Sequence, residues 1–334
     1  MNKIPGNFIH ELSFFIDENE IDMVVNMGRF FRNKLLHKAI LNSSRKPKLF
    51  FMQHFAPGSE MKKGTWRAGL HLLKLNPRNP IYWLRASVYP LLKLPRRLNY
   101  RKIYKEVYDR SEKIILLSEG YNKDYCNIAG IENQLKFFAI PNIVENSDHN
   151  SPDIIENKGK SVLILSRMDE VQKRLSLALK IWRRIEESGE FPEWTLDIVG
   201  SGHNEDIVKK LIKELNLQQV RMHGWQPREE YLKRAGVLIS TSEYEGLPLS
   251  ILEAQAYGCT PIAFNSYASL KDVIKNEDNG IVVENFGDIE EFADKLSELM
   301  RNNESRKRMA MRALSNIDNY SSDKIAQQWL KILT

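Results

Sequence analysis

Short runs of β-branched and other apolar residues alternate with helical patterns through the second half of the chain. These runs predict six strands, at residues 161–167, 195–200, 218–225, 237–242, 260–265 and 280–284. Between them, apolar residues recur at intervals of three and four, as in residues 175–188, which is typical of amphipathic helices. Strands that alternate with helices predict a parallel, doubly wound α/β sheet. The carboxyl ends of its strands share one edge, where ligands bind in such folds.

The first half of the chain predicts four more strands, at residues 21–28, 46–55, 113–119 and 134–142. Residues 144–160 are polar and lack apolar periodicity, which is typical of a linker. We therefore predict four segments: an N-terminal domain over 1–143, the linker over 144–160, a C-terminal domain over 161–319, and a helix over 320–334 that packs back toward the N-terminal domain.

Composition excludes several classes of protein. The 334 residues are 42% hydrophobic and 28% charged, which is ordinary for a globular chain and excludes a disordered or collagen-like one. No apolar run approaches the roughly 18 residues of a membrane-spanning helix, and the N-terminus lacks the pattern of a signal peptide. Two cysteines are too few for a disulfide framework. These features predict a cytoplasmic protein.

One segment supplies the whole excess of positive over negative charge. Residues 62–105 contain twelve Lys and Arg and no Asp or Glu, whereas the rest of the chain has 37 basic and 43 acidic residues. Aromatic residues lie among the cations: Trp66, Tyr82, Trp83 and Tyr89. Cations draw a segment to anionic lipid, and aromatic side chains suit the membrane interface. The segment predicts a membrane-docking face; a nucleic-acid surface ranks lower because no recognition motif accompanies it, and a solvated basic face is the alternative without a partner.

A helix that follows the strand at 237–242 is the most informative feature. Its predicted first residue is Pro248, a residue suited to a first helical turn, and Gly246 before it leaves room for close approach of a ligand. Free N–H groups at such a helix start bind phosphate oxygens. Here we expect phosphate to bind the backbone N–H groups of Leu247, Leu249 and Ser250.

Two carboxylates flank this turn, Glu245 before it and Glu253 inside the helix. Carboxylates accept hydrogen bonds from hydroxyl groups, and a sugar nucleotide carries hydroxyls on both sides of its diphosphate. Glu245 could hold the sugar and Glu253 the ribose, and the family resemblance described below implies the same two roles. An isolated Glu253 on a solvent-facing helix surface is the alternative.

Cations follow the first strand of the same domain. Arg167 and Lys173 are expected at the shared strand edge, where charge-assisted hydrogen bonds to a diphosphate contribute roughly 1.5–3 kcal/mol each. Lys173 is favoured over Arg174 for this role. Two surface cations at the start of a helix are the alternative interpretation.

Two glycine-containing turns complete the predicted site. Gly200 and Gly202 follow the second strand, where an ordinary turn explains them equally well. Gly224 and Trp225 follow the third, where the backbone is expected to face a nucleotide base. No Asp-x-Asp occurs in the chain, so we expect neither a metal site nor a metal cofactor.

Taken together, these motifs resemble those of family 4 (group 1) glycosyltransferases, in order and in spacing. The most specific part is Glu245-x7-Glu253 within EGLPLSILEA, and the resemblance covers roughly residues 110–300. It implies a GT-B fold, with two Rossmann-like domains facing across a cleft. It also implies that Arg167 and Lys173 bind the donor diphosphate, and that Glu245 contacts the donor sugar.

Two further expectations come from the same resemblance. His54, after a strand of the first domain, corresponds to a histidine that touches the donor sugar from across the cleft; a histidine of an ordinary loop is the alternative. The family's opening strand and Gly-rich loop have no counterpart here, so we expect a shortened N-terminal domain; an acceptor site that is built differently is the alternative.

The resemblance implies transfer of a hexose from a nucleotide sugar, UDP-linked rather than GDP-linked, with retention. The acceptor is expected to be a growing surface polysaccharide or a lipid-linked glycan at the inner face of the cell membrane. Without a protein nucleophile in the motifs, we expect a front-side transfer, with Arg167, Lys173 and Glu245 as the catalytic set. A sugar-nucleotide epimerase of the same fold and a non-catalytic sugar-nucleotide-binding protein are the alternatives.

Overall fold

Two parallel sheets form, and every predicted strand is present. The computed structural model describes residues 7–28, 30–62, 66–144 and 153–333, with side chains except at 66, 67, 85 and 89–93. The first sheet has four strands in the order β1-β2-β3-β4 and the second six in the order β10-β9-β8-β5-β6-β7. All pairings between strands are parallel. The predicted α/β fold of two Rossmann-like domains is therefore confirmed.

The strands are short and mostly buried. Those of the first sheet are β1 Met23–Met27, β2 Lys48–Met52, β3 Lys113–Leu116 and β4 Phe137–Ala139. Those of the second are β5 Ser161–Leu165, β6 Thr195–Val199, β7 Val220–Gly224, β8 Val237–Ser240, β9 Thr260–Phe264 and β10 Ile281–Val283.

Helices join the strands. In the first part of the chain they are α1 Phe8–Glu18, α2 Phe30–Asn42, α3 Ser59–Lys62, α4 Trp66–Leu75, α5 Pro80–Arg110 and α6 Tyr121–Ala129. In the second part they are α7 Asp153–Glu156, α8 Leu175–Ser188, α9 Glu205–Glu214, α10 Glu229–Arg234, α11 Leu249–Ala256, α12 Leu270–Val273, α13 Ile289–Arg301, α14 Asn303–Ile317 and α15 Ser322–Leu333.

The order of the second sheet fixes where a ligand can bind. Strand β5 lies between β6 and β8, so the chain leaves β5 in one direction and returns to its other side after β7. Loops after β5 and β8 therefore diverge above the sheet and leave a crevice at the carboxyl ends of these two strands. A core of aliphatic side chains and Trp182 holds the helices on the sheet, with Trp182 fully buried.

The two compact units differ from the predicted domains in one large respect. Residues 1–66 and 87–141 form the first unit, and residues 67–86 and 142–334 form the second. The segment 67–86 was expected in the N-terminal domain, but Ala68 and Leu72 are buried in the core of the second unit. Burial of these apolar side chains outweighs their position in the sequence.

The predicted linker contains a short helix. Residues 145–152 of this linker lie outside the described residues, but 153–156 form α7, whose Ile155 is buried against Gly258. The last helix, α15, is part of the second unit; that it packs back toward the N-terminal domain stays a prediction. Among the described residues, no helix is both long and apolar enough to cross a membrane.

Candidate active site

A cavity of about 480 Å³ opens at the crevice above β5 and β8. Five of the predicted site residues line it: Arg167, Gly200, Trp225, Ser250 and Glu253. Its other walls come from the turns after β5, β6 and β7, namely Leu165, Ser166, Val199, Ser201, Gln226, Pro227, Arg228 and Glu229. The sheet topology thus brings residues from distant parts of the sequence to one pocket.

Beside the cavity, a buried amide joins the predicted cation and carboxylate. The Gln172 side chain accepts a hydrogen bond from Arg167 Nη2 at 3.2 Å and donates from Nε2 to Glu245 Oε2 at 3.1 Å. Glu245 Oε1 also accepts from Lys173 Nζ at 2.6 Å, and both side chains of this ion pair are nearly buried. Arg167 and Lys173 in one loop and Glu245, more than 70 residues later in the sequence, therefore form one connected cluster.

Main-chain hydrogen bonds fix the two loops that carry this cluster. The Glu243 N–H donates to Gln172 O at 2.7 Å. Thr241 Oγ1 donates to the Lys173 carbonyl at 2.9 Å. Arg174 has a left-handed backbone, with φ at 53°, and its guanidinium bonds the Glu243 carboxylate, with Nε to Oε2 at 2.7 Å. Lys173 rather than Arg174 therefore contacts Glu245, in line with the preference from the sequence.

Glu253 lies on the opposite wall, inside α11, with about a fifth of its side chain exposed. Burial raises the pKa of its carboxyl above the ordinary value, while the nearby Arg228 guanidinium acts in the opposite direction. Arg228 Nη2 lies 3.5 Å from Glu253 Oε1. Glu253 lines the cavity and is only partly exposed; its contact with a ribose stays a prediction.

Gly200 and Gly202 allow two loops to touch. A Cβ on Gly200 would overlap the Ser166 carbonyl oxygen, and its φ of +134° disfavours any side chain. A Cβ on Gly202 would lie 2.6 Å from Met168 O and 2.7 Å from Met168 N. Both glycines thus serve the packing of the loop after β6 against the loop after β5, and Gly200 also lines the cavity.

The turn after β7 exposes an aromatic ring. Gly224 has a φ of +68°, which turns the chain sharply, and Trp225 beyond it is 77% exposed on the cavity wall. His223 Nε2 lies 2.7 Å from Asp197 Oδ1, a buried carboxylate in β6, and its ring packs on Tyr231. This histidine therefore holds two strands together.

The start of α11 differs from the prediction. The helix begins at Leu249, and Pro248 is its N-cap residue rather than its first helical residue. The Leu249 N–H donates to Leu247 O at 2.9 Å in a tight turn, so it is not available to a phosphate as the sequence suggested. Leu247 is buried, and Gly246 precedes it in the turn. Ser250 lines the cavity.

Three site residues escaped the sequence reasoning: Gln172, Asn204 and Arg228. Asn204 Oδ1 accepts from the Glu170 N–H at 2.9 Å, and its own N–H donates to Met168 O at 3.1 Å. It thus locks the loop after β6 to the loop after β5. Gln172 lies in the sequence between Arg167 and Lys173, and this position could have marked it as a candidate. No feature of the sequence marks Asn204 or Arg228.

The first unit contains a second cavity, of about 620 Å³. Aromatic side chains and charges of both signs line it, including Phe30, Phe31, Phe55, Tyr100, Lys34, Glu60, Glu106 and Arg110. His54 lies in this unit, after β2, with its ring near Gly28 at the end of β1. Its predicted contact with the donor sugar stays a prediction.

The basic segment is less uniformly exposed than expected. Tyr82, predicted on the docking face, is partly buried against the core of the second unit. Trp83 is 56% exposed, and its indole N–H donates to Pro77 O at 2.8 Å. The side chains of Trp66 and Tyr89 lie outside the described residues. Other exposed apolar residues of α5 are Ile81, Leu84, Val88, Leu94 and Leu98.

A metal cluster is not found among the described residues: no three His, Cys, Asp or Glu side chains come together as ligands. A cluster of such side chains beside the cavity would have marked a binding site for a metal cation. The charged groups at or beside the cavity include the Arg167 and Arg228 guanidinium groups, the Lys173 ammonium and the carboxylates of Glu229, Glu245 and Glu253.

The sequence of this chain is similar to one protein family and to curated proteins of the same kind. The sequence model of the family described as "Glycosyl transferases group 1" matches residues 146–315. The amylovoran biosynthesis glycosyltransferase AmsD of Erwinia amylovora is 30% identical over 240 residues, which is 70% of this chain and 65% of AmsD. The poly(ribitol-phosphate) alpha-N-acetylglucosaminyltransferase of Staphylococcus aureus is 29% identical over 239 residues, 70% of this chain and 46% of that protein.

Solved structures agree on the fold. Anabaena HepE in complex with UDP superposes with a TM-score of 0.74 at 15% identity, covering 98% of this chain and 81% of HepE. At this identity the likeness concerns the fold, which is GT-B. The chain spans less than two thirds of the length of the two curated relatives given above.

Proposed function

The chain belongs to the group 1 glycosyltransferases, and we propose on that premise that it transfers a hexose from a nucleotide-sugar donor to a glycan or lipid-linked acceptor. The observation that carries the proposal is the cluster in which Gln172 joins Arg167 to Glu245 while Lys173 pairs with the same carboxylate. Two cations suit a diphosphate, and a carboxylate beside them suits sugar hydroxyls.

We propose UDP as the nucleotide part of the donor. Glu253 and the exposed ring of Trp225 line the same cavity, which supports a proposal in which Glu253 accepts hydrogen bonds from ribose hydroxyls and Trp225 offers an aromatic face to the base. The volume of about 480 Å³ suits a nucleotide. HepE, which shares the fold, was crystallised with UDP.

Front-side transfer with retention is the proposed mechanism. The acceptor oxygen attacks the anomeric carbon on the face from which the diphosphate leaves; the new C–O bond forms as the C–O bond to phosphate breaks. The acceptor proton passes to an oxygen of the leaving phosphate. Arg167 and Lys173 stabilise the negative charge that grows on this phosphate, and they are already held in place by Gln172 and Glu245 before the reaction. We propose that no metal ion takes part.

The acceptor is proposed to be a surface polysaccharide or its lipid-linked precursor. The relatives support this class: AmsD is named for amylovoran biosynthesis, and another relative, from Escherichia coli, is named a lipopolysaccharide 1,6-galactosyltransferase. The aromatic cavity of the first unit has the chemistry of a sugar-binding surface, with flat apolar rings beside charged hydrogen-bonding groups. We assign the acceptor glycan to this cavity.

Donor binding is tested with a thermal-shift panel of UDP, GDP, UDP-glucose, UDP-galactose and UDP-N-acetylglucosamine, with and without EDTA. We expect stabilisation by UDP compounds, unchanged by EDTA. Stabilisation by GDP alone would overturn the choice of base, and loss of binding in EDTA would overturn metal independence.

Turnover is tested by UDP release in the presence of a bacterial glycolipid extract, followed by NMR of the anomeric configuration of the product. Arg167→Ala is expected to lower kcat by about 10²–10³-fold, the size seen when one preorganised charge-stabilising group is removed. Arg312→Ala, an exposed arginine on α14, is the matched control. Equal turnover in Arg167→Ala and the control contradicts the role of Arg167.

The two alternative functions have distinct outcomes in the same assay. An epimerase converts the donor without any acceptor, which NMR of the sugar region detects. A binding protein retains UDP but releases none from any sugar nucleotide. A glycosyltransferase releases UDP only when the acceptor is present. A product of inverted anomeric configuration would overturn the retention proposal but not glycosyl transfer itself.

We also propose that the basic segment docks on the anionic inner surface of the cell membrane. Support comes from the exposed apolar side chains of α5, which lie among cations such as Arg97 and Lys102. Each cation contributes about 1 kcal/mol near an anionic surface. Flotation with vesicles of phosphatidylglycerol and phosphatidylethanolamine is expected to recover the protein, and vesicles of phosphatidylcholine are not.

Charge reversal makes this test specific. The double variant Arg97→Glu/Lys102→Glu should lose flotation, whereas Lys324→Glu/Lys331→Glu on α15, with the same change in net charge, should keep it. Equal flotation of both variants would mean that net charge and not this segment binds the lipid. Equal binding of single-stranded DNA and of anionic vesicles by the wild type would favour the nucleic-acid interpretation.

A further inference from the structure

A piece of the basic segment is built into the donor half of the molecule. Residues 67–86 pack on the second unit, with Ala68 and Leu72 buried in its core and Leu75 partly buried against it. The Leu75 carbonyl accepts from Lys210 Nζ on α9 at 3.1 Å. These contacts hold helix α4 beside the loop that joins β5 to α8.

One polar contact connects α4 directly to that loop. His71 Nε2 lies 3.0 Å from Glu170 Oε1. The Glu170 side chain is completely buried, whereas 24% of the His71 side chain remains exposed. The same carboxylate accepts from the Ser176 N–H at 3.1 Å and from the Ser176 hydroxyl, at the start of α8.

Glu170 occupies a central position in the loop. It stands between Arg167 and Lys173, the two cations assigned to the donor diphosphate. Its main-chain N–H donates to Asn204 Oδ1 at 2.9 Å, which ties it to the loop after β6. The side chain and the main chain of Glu170 are thus anchored on three sides, and His71 provides one of the anchors.

We propose that His71 is a positioning residue that holds the Arg167–Lys173 loop in its donor-binding arrangement through Glu170. A buried carboxylate that loses a hydrogen-bond donor is costly, because no water replaces the missing partner. The loop relieves this cost by moving Glu170 toward solvent. That movement displaces the two cations on either side of it and weakens their hold on a diphosphate.

The proposal rests on the proposed function for its ligand, but the loop can also be observed without any ligand. The variants are His71→Leu, which removes the donor, and His71→Gln, whose amide nitrogen can take the place of Nε2. Lys210→Met is the control, since it removes another attachment of the same segment that does not touch the loop. If His71→Leu does not fold, His71→Asn, which is too short to reach Glu170, replaces it.

Two measurements are made on each folded variant. Hydrogen exchange with mass spectrometry follows the amides of residues 166–176 in the absence of ligand, with β6 as internal reference. Calorimetry gives the Kd for UDP. We expect His71→Leu to exchange faster in residues 166–176 and to bind UDP about tenfold more weakly, which is about 1.4 kcal/mol. His71→Gln and Lys210→Met should resemble the wild type in both measurements.

The outcomes separate the two proposals. Unchanged exchange in His71→Leu overturns the role of His71, whether or not UDP binds. Equal loss of UDP affinity in His71→Leu and Lys210→Met overturns it as well, because a general loosening of the segment would then be responsible. A wild type that binds no UDP overturns the proposed donor alone, and the exchange data still decide the positioning role.

Discussion

Replacing Gly202 with alanine should loosen the proposed donor site by forcing two loops apart. The new Cβ would lie 2.6–2.9 Å from the main-chain O, N and C atoms of Met168, which cannot rotate away as a side chain would. Ordinary contact requires about 3.4 Å or more, so the loops must separate by roughly 0.5–0.8 Å. Two hydrogen bonds cross this gap: Met168 N–H to Ser201 O at 3.0 Å and Asn204 N–H to Met168 O at 3.1 Å.

The cost follows from these contacts. Separation by that distance weakens both hydrogen bonds, at about 0.5–1.5 kcal/mol each. Steric strain in a packed site adds about 1–3 kcal/mol. The free energy of unfolding should therefore fall by about 2–6 kcal/mol. For a unit of roughly 200 residues this lowers Tm by about 4–24 °C.

Differential scanning calorimetry measures the change in Tm, and calorimetric titration at 15 °C measures the Kd for UDP. Arg167 is carried by the displaced loop, so the Kd should rise as well. Ser201→Ala, in the same loop and exposed, is the control and should change Tm by less than about 1 °C. A Gly202→Ala protein with the Tm of the wild type would refute the reasoning, because it would show that the loops accommodate a methyl group without cost.

Further predictions concern the amide that joins the cluster and two shifted pKa values. Gln172→Leu should lower kcat for transfer about tenfold or more, since Arg167 and Glu245 both lose a hydrogen bond to it; kinetics equal to the wild type would show that Gln172 does not orient them. Because burial raises the pKa of Glu253, its carboxylate becomes protonated at higher pH than that of an ordinary Glu. Titration calorimetry should therefore show that UDP affinity weakens from pH 7 to pH 5 more steeply in the wild type than in Glu253→Gln. Parallel curves for the two proteins would contradict the ribose contact. Burial lowers the pKa of Lys158 to about 8 in the folded protein, below the ordinary value of 10.5. Between these two pH values the unfolded chain binds more protons than the folded protein, so the free energy of unfolding rises with pH. Urea denaturation at pH 7.5 and 9.5 should show a gain of roughly 1–2 kcal/mol in the wild type relative to Lys158→Met; equal changes in both proteins would mean that Lys158 is not the responsible group.

The sequence alone determined the strands, most helices and the strand edge at which Arg167, Lys173 and Glu245 come together. Strand signals are local, because a buried parallel strand needs a short apolar run and the helices between strands need an apolar stripe. Given parallel strands, residues directly after β5 and β8 must meet at one edge. This is why Arg167, Lys173 and Glu245 could be grouped before any contact was known.

Only the tertiary structure decided how these side chains bond to one another. That Gln172 links Arg167 to Glu245, and that Asn204 locks two loops, depends on distances between separate elements that no local pattern encodes. The start of α11 changed for a similar reason: the turn at Leu247 takes up the N–H of Leu249, so the helix begins one residue later than Pro248 suggested.

The domain assignment of residues 67–86 shows the same limit most clearly. Their charge and their place in the sequence assigned them to the N-terminal domain. Ala68, Leu72 and Tyr82 nevertheless pack on the second unit, and His71 reaches Glu170 there. An amphipathic helix carries the information that one face will be buried, but its sequence does not state which surface will bury it. Only packing among all the elements of the chain decides that.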